Sequence, residues 1–405
     1  MKTDLVDSIK QTTEGQVADK ILRSCVHCGF CNATCPTYQI LGDENDGPRG
    51  RIYLIKQMLE GAEVTASTRT HLDRCLTCRN CETTCPSGVQ YAHLLEIGRK
   101  YIEEKTERPF KERFVRDALA NTLPYRGRFK FLLRSGRLFS LFLPKKIRRK
   151  MPAKVAQGAW PQAQQQRRML ILDGCVQPVL SPDINSATAR VLDKLGITLV
   201  NIKKAGCCGA VSLHLSKEDS AIAMMKHNID VWWQEIESGA EAIVTTASGC
   251  GVMIKDYYQY LQNDAEYAEK ARHISILCKD IAEIIANEDY STLASKESKT
   301  ISWHPPCTLQ HGQKITGVVE KILTDCGYQL NPIKDTHLCC GSAGTYSILQ
   351  ADLSTKLGDN KINNLEVDQP EMIVTGNIGC QTHLQERTKT PVKHWIHLLD
   401  KAKGA

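Results

Sequence analysis

Apolar positions along this chain follow a helical spacing in the first third and change character after residue 168. Pro48 to Gly61 (Pro-Arg-Gly-Arg-Ile-Tyr-Leu-Ile-Lys-Gln-Met-Leu-Glu-Gly) reads as a helix opened by proline and closed by glycine. Thr68 to Arg74 reads as a second, shorter helix. From Arg168 onward, short apolar runs (Met169-Leu-Ile-Leu, Ile243-Val-Thr-Thr, Ile301-Ser-Trp-His, Ile373-Val-Thr-Gly) alternate with helical patterns such as Asn185 to Leu195 and Gly317 to Cys326. That alternation argues for α/β units with a parallel core. The pattern also occurs twice, and an internal repeat decides architecture. The expected fold class is therefore α+β and multidomain: a helical domain over 1–123, a connector over 124–168, and two tandem α/β repeats over 169–290 and 298–400.

The helical third carries Cys25-x2-Cys28-x2-Cys31-x3-Cys35-Pro36, and fifty residues later Cys75-x2-Cys78-x2-Cys81-x3-Cys85-Pro86. This doubled run has the ferredoxin spacing for two [4Fe–4S] clusters. Three cysteines on one tight turn can cap three irons, but the same turn cannot easily reach the fourth. In two-cluster ferredoxins the last cysteine of each run ligates the other cluster. On that rule Cys25, Cys28, Cys31 and Cys85 hold one cluster, and Cys75, Cys78, Cys81 and Cys35 the second. Pro36 and Pro86 bend the chain so that the last sulfur can point backwards. Zinc is the weaker reading, because its sites usually come as two CxxC pairs closing on one ion.

Composition narrows the class. The chain has 405 residues, 42% hydrophobic and 24% charged, as a soluble globular protein has. Its 18 cysteines are too many for core packing alone, and the chain is too large for a small secreted disulfide scaffold. No signal peptide is visible after Met1, and no run of eighteen apolar residues occurs. Free thiolates and labile clusters then point to a reducing cytoplasm. The net charge of +7 is uneven: Pro124 to Lys150 holds ten Lys or Arg and no Asp or Glu. Phe129, Phe131, Leu132, Leu133, Leu138, Phe139, Leu141, Phe142 and Leu143 are interleaved with that charge, which argues against nucleic acid as the partner. The stretch reads either as an interfacial helix on anionic lipid or as a linker packed on protein. Gln162 to Gln166 closes the connector as an exposed polar patch.

Each repeat carries its own cysteines: Cys175, Cys207-Cys208-Gly209 and Cys250 in the first, Cys307, Cys339-Cys340-Gly341 and Cys380 in the second. The first cysteine precedes the vicinal pair by 32 residues in both copies. These positions fall where apolar strands end and helices begin, the ligand-binding edge of a parallel sheet. Helix N-termini there favour the thiolate. Three readings stay open: a third iron–sulfur centre, a thiol/disulfide redox site, or cysteines that only pack the core or close a substrate or quinone pocket. Cys278 and Cys326 fit neither repeat position and read as core thiols.

Cys-Cys-Gly resembles the cysteine-rich domain of heterodisulfide reductases and related dehydrogenase subunits, where the motif continues into a terminal Cys-x-x-Cys. This chain departs there, with Met253 three residues after Cys250 and His383 three after Cys380. His383 could replace a ligand, and His304 and His337 lie near the same loops. The whole chain resembles the glycolate oxidase (glycolate dehydrogenase) iron–sulfur subunit family. The likeness rests on Cys25-Val-His-Cys-Gly-Phe-Cys31, Gly47-Pro-Arg-Gly-Arg-Ile-Tyr-Leu-Ile-Lys56, Cys75-Leu-Thr-Cys-Arg-Asn-Cys81, Ala205-Gly-Cys-Cys-Gly-Ala210 and His337-Leu-Cys-Cys-Gly-Ser-Ala-Gly-Thr345. The resemblance implies a complex in which an FAD-containing subunit, with a second FAD-type subunit, oxidises glycolate to glyoxylate. This chain would be its electron-transfer subunit, passing electrons to a quinone or other acceptor, with peripheral contact on the cytoplasmic face of the inner membrane as an extension. The residues agree with that division. No G-x-G-x-x-G fingerprint, P-loop or nucleophile–base pair is present, so no catalytic residue is assigned. The alternatives are an iron–sulfur subunit of another flavin dehydrogenase (anaerobic glycerol-3-phosphate or lactate type), a heterodisulfide-reductase-like catalyst acting at the Cys-Cys-Gly cleft, and a chiefly anchoring subunit.

Overall fold

Proline and glycine set the limits of the helix between the two cysteine runs in the computed structural model, which describes residues 1–139, 153–295 and 299–400. The helix runs Pro48–Leu59 with Pro48 in its first turn. Gly61 then adopts φ 94°, where its N–H and that of Ala62 return to the carbonyls of Met58 and Gln57. The second expected helix spans Ala66–Asp73, two residues earlier than its apolar pattern suggests, because the Thr65 hydroxyl accepts the Thr68 N–H and caps it there. Tyr91–Lys105 packs against the proline-opened helix, and Ile55, Met58, Leu94, Leu95 and Ile102 join Leu22 in one core. A Cβ on Gly98 would lie 2.7 Å from Ile55 Cγ1, so that crossing tolerates only glycine without adjustment.

The chain divides into two compact units. One combines Met1–Arg116 with Asp335–Lys361, and the other combines Asp117–Lys334 with Ile362–Ala405. In the first unit the late segment is fastened by polar contacts: Asn80 Nδ2 donates to His337 O (3.1 Å) and the Tyr346 hydroxyl to Arg74 O (3.1 Å).

The second unit holds two parallel four-stranded sheets of the same topology. Strands β1 (Arg167–Ile171), β2 (Ile197–Asn201), β3 (Ile243–Thr245) and β4 (Cys278–Asp280) stand in the order β2-β1-β3-β4. Strands β5 (Thr300–His304), β6 (Gln329–Leu330), β7 (Met372–Thr375) and β8 (Val392–His394) repeat it as β6-β5-β7-β8. The helices expected over 185–195 and 317–326 form as Asp183–Lys194 and Val318–Asp325. The fold is thus the α+β, multidomain arrangement expected, a helical N-terminal part followed by two α/β repeats. Cys278 and Cys326 are buried in the core. Of the basic stretch, residues 126–138 form a helix, and residues 140–150 lie outside the described residues. Among the described residues no helix is long and apolar enough to cross a membrane.

A shared core that includes Ile171, Val244, Trp303, Val374 and Trp395 joins the two repeats. A buried polar seam accompanies it. The Ser248 and Thr308 hydroxyls lie 2.7 Å apart, Asn377 Nδ2 donates to Ser248 Oγ (3.1 Å), and His394 Nε2 lies 2.9 Å from Thr246 O. Since Ile396 N–H donates to His394 Nδ1 (3.2 Å), the neutral ring satisfies both contacts, with Nε2–H as donor. Burial, and then the neighbouring His397, hold His394 down to about 3. Above its ordinary 6.5, the ring is neutral whether the chain is folded or not. Below that value the unfolded chain takes up a proton that the folded chain refuses, so stability falls as pH drops from about 6.5 toward 3. Unfolding free energy should therefore fall by about 1 kcal/mol per pH unit more in the wild type than in His394→Gln between pH 6 and 4. Equal slopes in urea titrations of the two proteins would show that His394 does not carry this dependence.

Candidate metal centres

Both cysteine runs fold into the same turn. In the first, His27 (φ 56°) and Gly29 (φ 85°) are left-handed; in the second, Thr77 (φ 54°) and Arg79 (φ 60°) occupy the matching places. Each turn leads into a short helix, Phe30–Ala33 or Asn80–Thr84. Alternating backbone handedness turns successive N–H groups inward and makes an anion-binding hollow. The Thr77 N–H accordingly points at Cys75 Sγ (3.4 Å), and the His27 N–H bonds Cys25. Cys35 and Cys85 then leave their helices in extended conformation, with φ/ψ of −83/116° and −76/115°.

The sulfurs gather into two sets. Burial, and then the Cys25, Cys28 and Cys85 sulfurs, push the Cys31 thiol up to about 11. Burial, and then Cys78, Cys75, Glu82 and Cys35, push Cys81 well above its ordinary value. Each run's first three cysteines are therefore joined by the last cysteine of the other run. An open cavity of about 430 Å³ is lined by Cys25, Cys28, Cys31 and Cys85, together with Cys81 of the other set, and one of about 300 Å³ by Cys35, Cys75, Cys78 and Cys81. Cys28 is exposed, whereas Cys35, Cys75 and Cys81 are buried. Asn80 Nδ2 donates to Thr34 O (3.0 Å) and the Thr84 hydroxyl to Thr34 Oγ1 (3.2 Å), which locks the two turns together.

This arrangement fits iron–sulfur clusters. Crowding and burial make Cys31 and Cys81 resist ionisation, and a cationic centre among the sulfurs removes that resistance. The hollows also supply backbone donors to sulfur, as bound clusters require.

In the first α/β repeat, Cys175 follows β1, Cys207 and Cys208 follow β2, and Cys250 lies in the first turn of the helix Ser248–Lys255 after β3. These are carboxyl ends of parallel strands. Thiols of Cys175 and Cys208 donate toward Cys207, and the N–H groups of Gly209 (3.5 Å) and Val211 add to them, so Cys207 is held well below an ordinary thiol. Cys208 also contacts Cys250. Two buried residues that the sequence did not single out hold this turn: Asn228 Nδ2 donates to Cys207 O (2.9 Å) and the Tyr257 hydroxyl to Cys208 O (3.0 Å). The four sulfurs of the first repeat thus form one set, with Cys175, Cys207 and Cys208 buried and Cys250 half-buried.

The second repeat repeats the local turn, with Gly341 N–H on Cys339 Sγ at 3.5 Å. Its residues are divided, however, between the units. Cys339 and Cys340 belong to the first unit, while Cys307, Cys380, His304 and His383 belong to the second. His383 is buried one turn after Cys380 in the helix Ile378–Gln385.

Residues 21–89 match the 4Fe-4S dicluster domain, and residues 169–255 and 301–385 each match the cysteine-rich domain. The chain is 54% identical over 403 residues to the glycolate oxidase iron–sulfur subunit of Escherichia coli K12, covering 99% of both chains. It is 28% identical to the probable glycolate oxidase iron–sulfur subunit of Bacillus subtilis 168, over 89% of this chain and 87% of that one. Lactate utilization protein A of Anoxybacillus flavithermus is 26% identical over 54% of this chain and 92% of its own. A crystal structure of a hypothetical protein from Helicobacter pylori shares the fold, with a TM-score of 0.56, 9% identity, and coverage of 98% of this chain and 74% of that one.

The Cys-Cys-Gly turn itself can be tested. Gly341 has φ 88°, and a Cβ there would lie 2.7 Å from Ser354 O. Gly344, in the same loop, has φ 61° but open space around it. Gly341→Ala should cost about 1–3 kcal/mol, visibly more than Gly344→Ala, in thermal unfolding of the two variants. Equal losses would mean that backbone handedness alone, and not the close approach to Ser354, requires glycine.

Proposed function

The chain belongs to the family of glycolate oxidase iron–sulfur subunits, and on that premise we propose that it relays electrons in a multi-subunit, FAD-dependent glycolate dehydrogenase. In this reading an FAD-containing subunit, with a second FAD-type subunit, oxidises glycolate to glyoxylate. The present chain accepts the electrons and passes them to a quinone or other acceptor. The observation that supports this best is the sorting of eight cysteines into two four-sulfur sets, each completed by the other run. Cys25, Cys28, Cys31 and Cys85 would hold one [4Fe–4S] cluster, and Cys75, Cys78, Cys81 and Cys35 the other. When bound, such clusters supply one-electron chemistry, which leaves the two-electron oxidation to a partner flavin.

The chain's own residues prepare both sites. Backbone N–H groups of His27 and Thr77 stabilise negative sulfur. Leu76 borders the second site and Tyr91 borders both, and exposed Cys28 brings the first site to the surface. In the first repeat, Cys175, Cys207, Cys208 and Cys250 would hold a third iron–sulfur centre, since their four sulfurs contact one another at the carboxyl ends of β1, β2 and β3 and number a complete donor set.

The helix Arg126–Leu138 suits contact with an anionic membrane surface. Phe129, Leu133 and Gly136 are half-buried on one side. Phe131 (74% exposed), Leu132, Leu138 (78%) and Phe139 share the outward side, and Lys130, Arg134 and Arg137 share the third, while Arg126 is taken up by Asp173. Exposed apolar side chains flanked by cations, without acids, are what an interfacial helix presents to anionic lipid.

Three measurements test these points. Cys78→Ser should abolish acceptor reduction while glycolate still reduces the partner flavin; full electron transfer in that variant would refute the relay. Iron analysis of anaerobically purified protein should give about twelve irons per chain if the third site is filled and about eight if only the cysteine runs are. Lys130→Gln with Arg134→Gln should weaken sedimentation with phosphatidylserine vesicles roughly 30-fold, at about 1 kcal/mol per cation, and unchanged binding would leave this helix to a protein partner.

A further inference from the structure

The segment Gly47-Pro-Arg-Gly-Arg places one guanidinium beside each sulfur set, but in unequal surroundings. Arg49 borders the cavity of Cys25, Cys28, Cys31 and Cys85. It is paired with Glu44 at 2.6 Å, and both side chains are more than a third exposed. Arg51 borders the cavity of Cys35, Cys75, Cys78 and Cys81 and is fully buried. Gly50 permits this placement, since a Cβ there would lie 2.1 Å from Glu44 O.

Arg51 is held by a fixed set of partners. Its Nε donates to His71 O (2.7 Å), and Nη1 and Nη2 donate to Thr37 Oγ1 (3.2 and 3.1 Å). Nη1 also stands 4.0 Å from Cys35 Sγ, which is itself 3.3 Å from the Thr37 hydroxyl. Its counter-ion is incomplete. Buried Asp46 lies 3.5 Å from Arg51 but 2.8 Å from Arg74, with His71 Nδ1 at 3.1 Å. Two guanidinium groups therefore share one carboxylate, and the balance is positive at the buried end. The Tyr91 hydroxyl adds a neutral donor to Cys75 Sγ at 3.5 Å.

We propose that Arg51 is a positioning residue that, together with the Tyr91 hydroxyl, raises the reduction potential of the cluster held by Cys35, Cys75, Cys78 and Cys81 and leaves the other cluster untouched. The proposal rests on the reading above that these cysteines hold a [4Fe–4S] cluster. Reduction adds one electron to a set of sulfurs of which Cys35, Cys75 and Cys81 are buried. A fixed cation there favours the added charge, and donors to sulfur act in the same direction. Around Arg49, solvent and Glu44 screen the corresponding cation.

The test is a potentiometric EPR titration of the full chain, purified anaerobically with its partners. Arg51→Gln should lower the equilibrium constant for reducing one cluster about tenfold, which is ~59 mV for a one-electron couple. The second cluster should titrate as in the wild type and serves as the internal control. Arg51→Lys keeps the charge but loses the fork to Thr37 and His71 O, so it should restore most of the potential. A role confined to packing predicts instead that lysine behaves like glutamine. Tyr91→Phe, which removes one hydroxyl and little volume, should move the same signal in the same direction by a smaller amount and covers the case in which Arg51→Gln does not fold. Unmoved potentials in iron-replete Arg51→Gln, or in Tyr91→Phe should Arg51→Gln not fold, would overturn the proposal. Wild-type protein without iron would overturn the underlying cluster reading instead.

Discussion

Sulfurs gathered four to a site resist a second and third negative charge, and the N-terminal part of this protein is organised around that repulsion. Burial and neighbouring sulfurs hold Cys31 and Cys81 protonated in the isolated chain. The crowding becomes favourable only when a cationic centre sits among the thiolates. Every local feature serves the geometry that such a centre needs. Left-handed His27, Gly29, Thr77 and Arg79 turn backbone N–H groups toward sulfur. Extended Cys35 and Cys85 reach across to the opposite run, so neither set is complete without the other. The exchange ties two sequence-distant turns into one body, which Asn80, Thr84 and Thr34 then fasten.

The second unit solves a related problem with different elements. A parallel sheet delivers its ligand-facing loops to one edge, and duplication supplies two such edges. The first repeat assembles Cys175, Cys207, Cys208 and Cys250 there, with Asn228 and Tyr257 holding the carbonyls of the vicinal pair. Its sister keeps the glycine turn and the strand order. Its vicinal pair, however, lies on the segment Asp335–Lys361, which folds with the N-terminal helices. The two copies therefore differ: the first keeps its four cysteines together, whereas the second has its vicinal pair in the unit of the N-terminal helices.

Most of the secondary structure was legible because it depends on local rules. Proline at a helix start, glycine after its end, and apolar runs of strand length located Pro48–Leu59, β1, β3, β5 and β7 to within a residue or two. Thr65 displaced one helix start because a single side-chain hydrogen bond outweighed the apolar pattern. Arg51 was not legible as a buried residue, although a signal was present. It shares the helix face of Ile52, Ile55, Met58 and Leu59, where a cation is out of place unless something buried receives it.

Cysteine spacing alone determined the donor type, the number of turns and the duplication, because thiolate chemistry and turn length are properties of short segments. Only the tertiary structure decided that Arg51 and not Arg49 is buried, that the first repeat's four sulfurs meet, and that residues 335–361 leave their own repeat to pack with the first hundred. Those outcomes depend on contacts between residues far apart in the chain, whose energies no local pattern encodes.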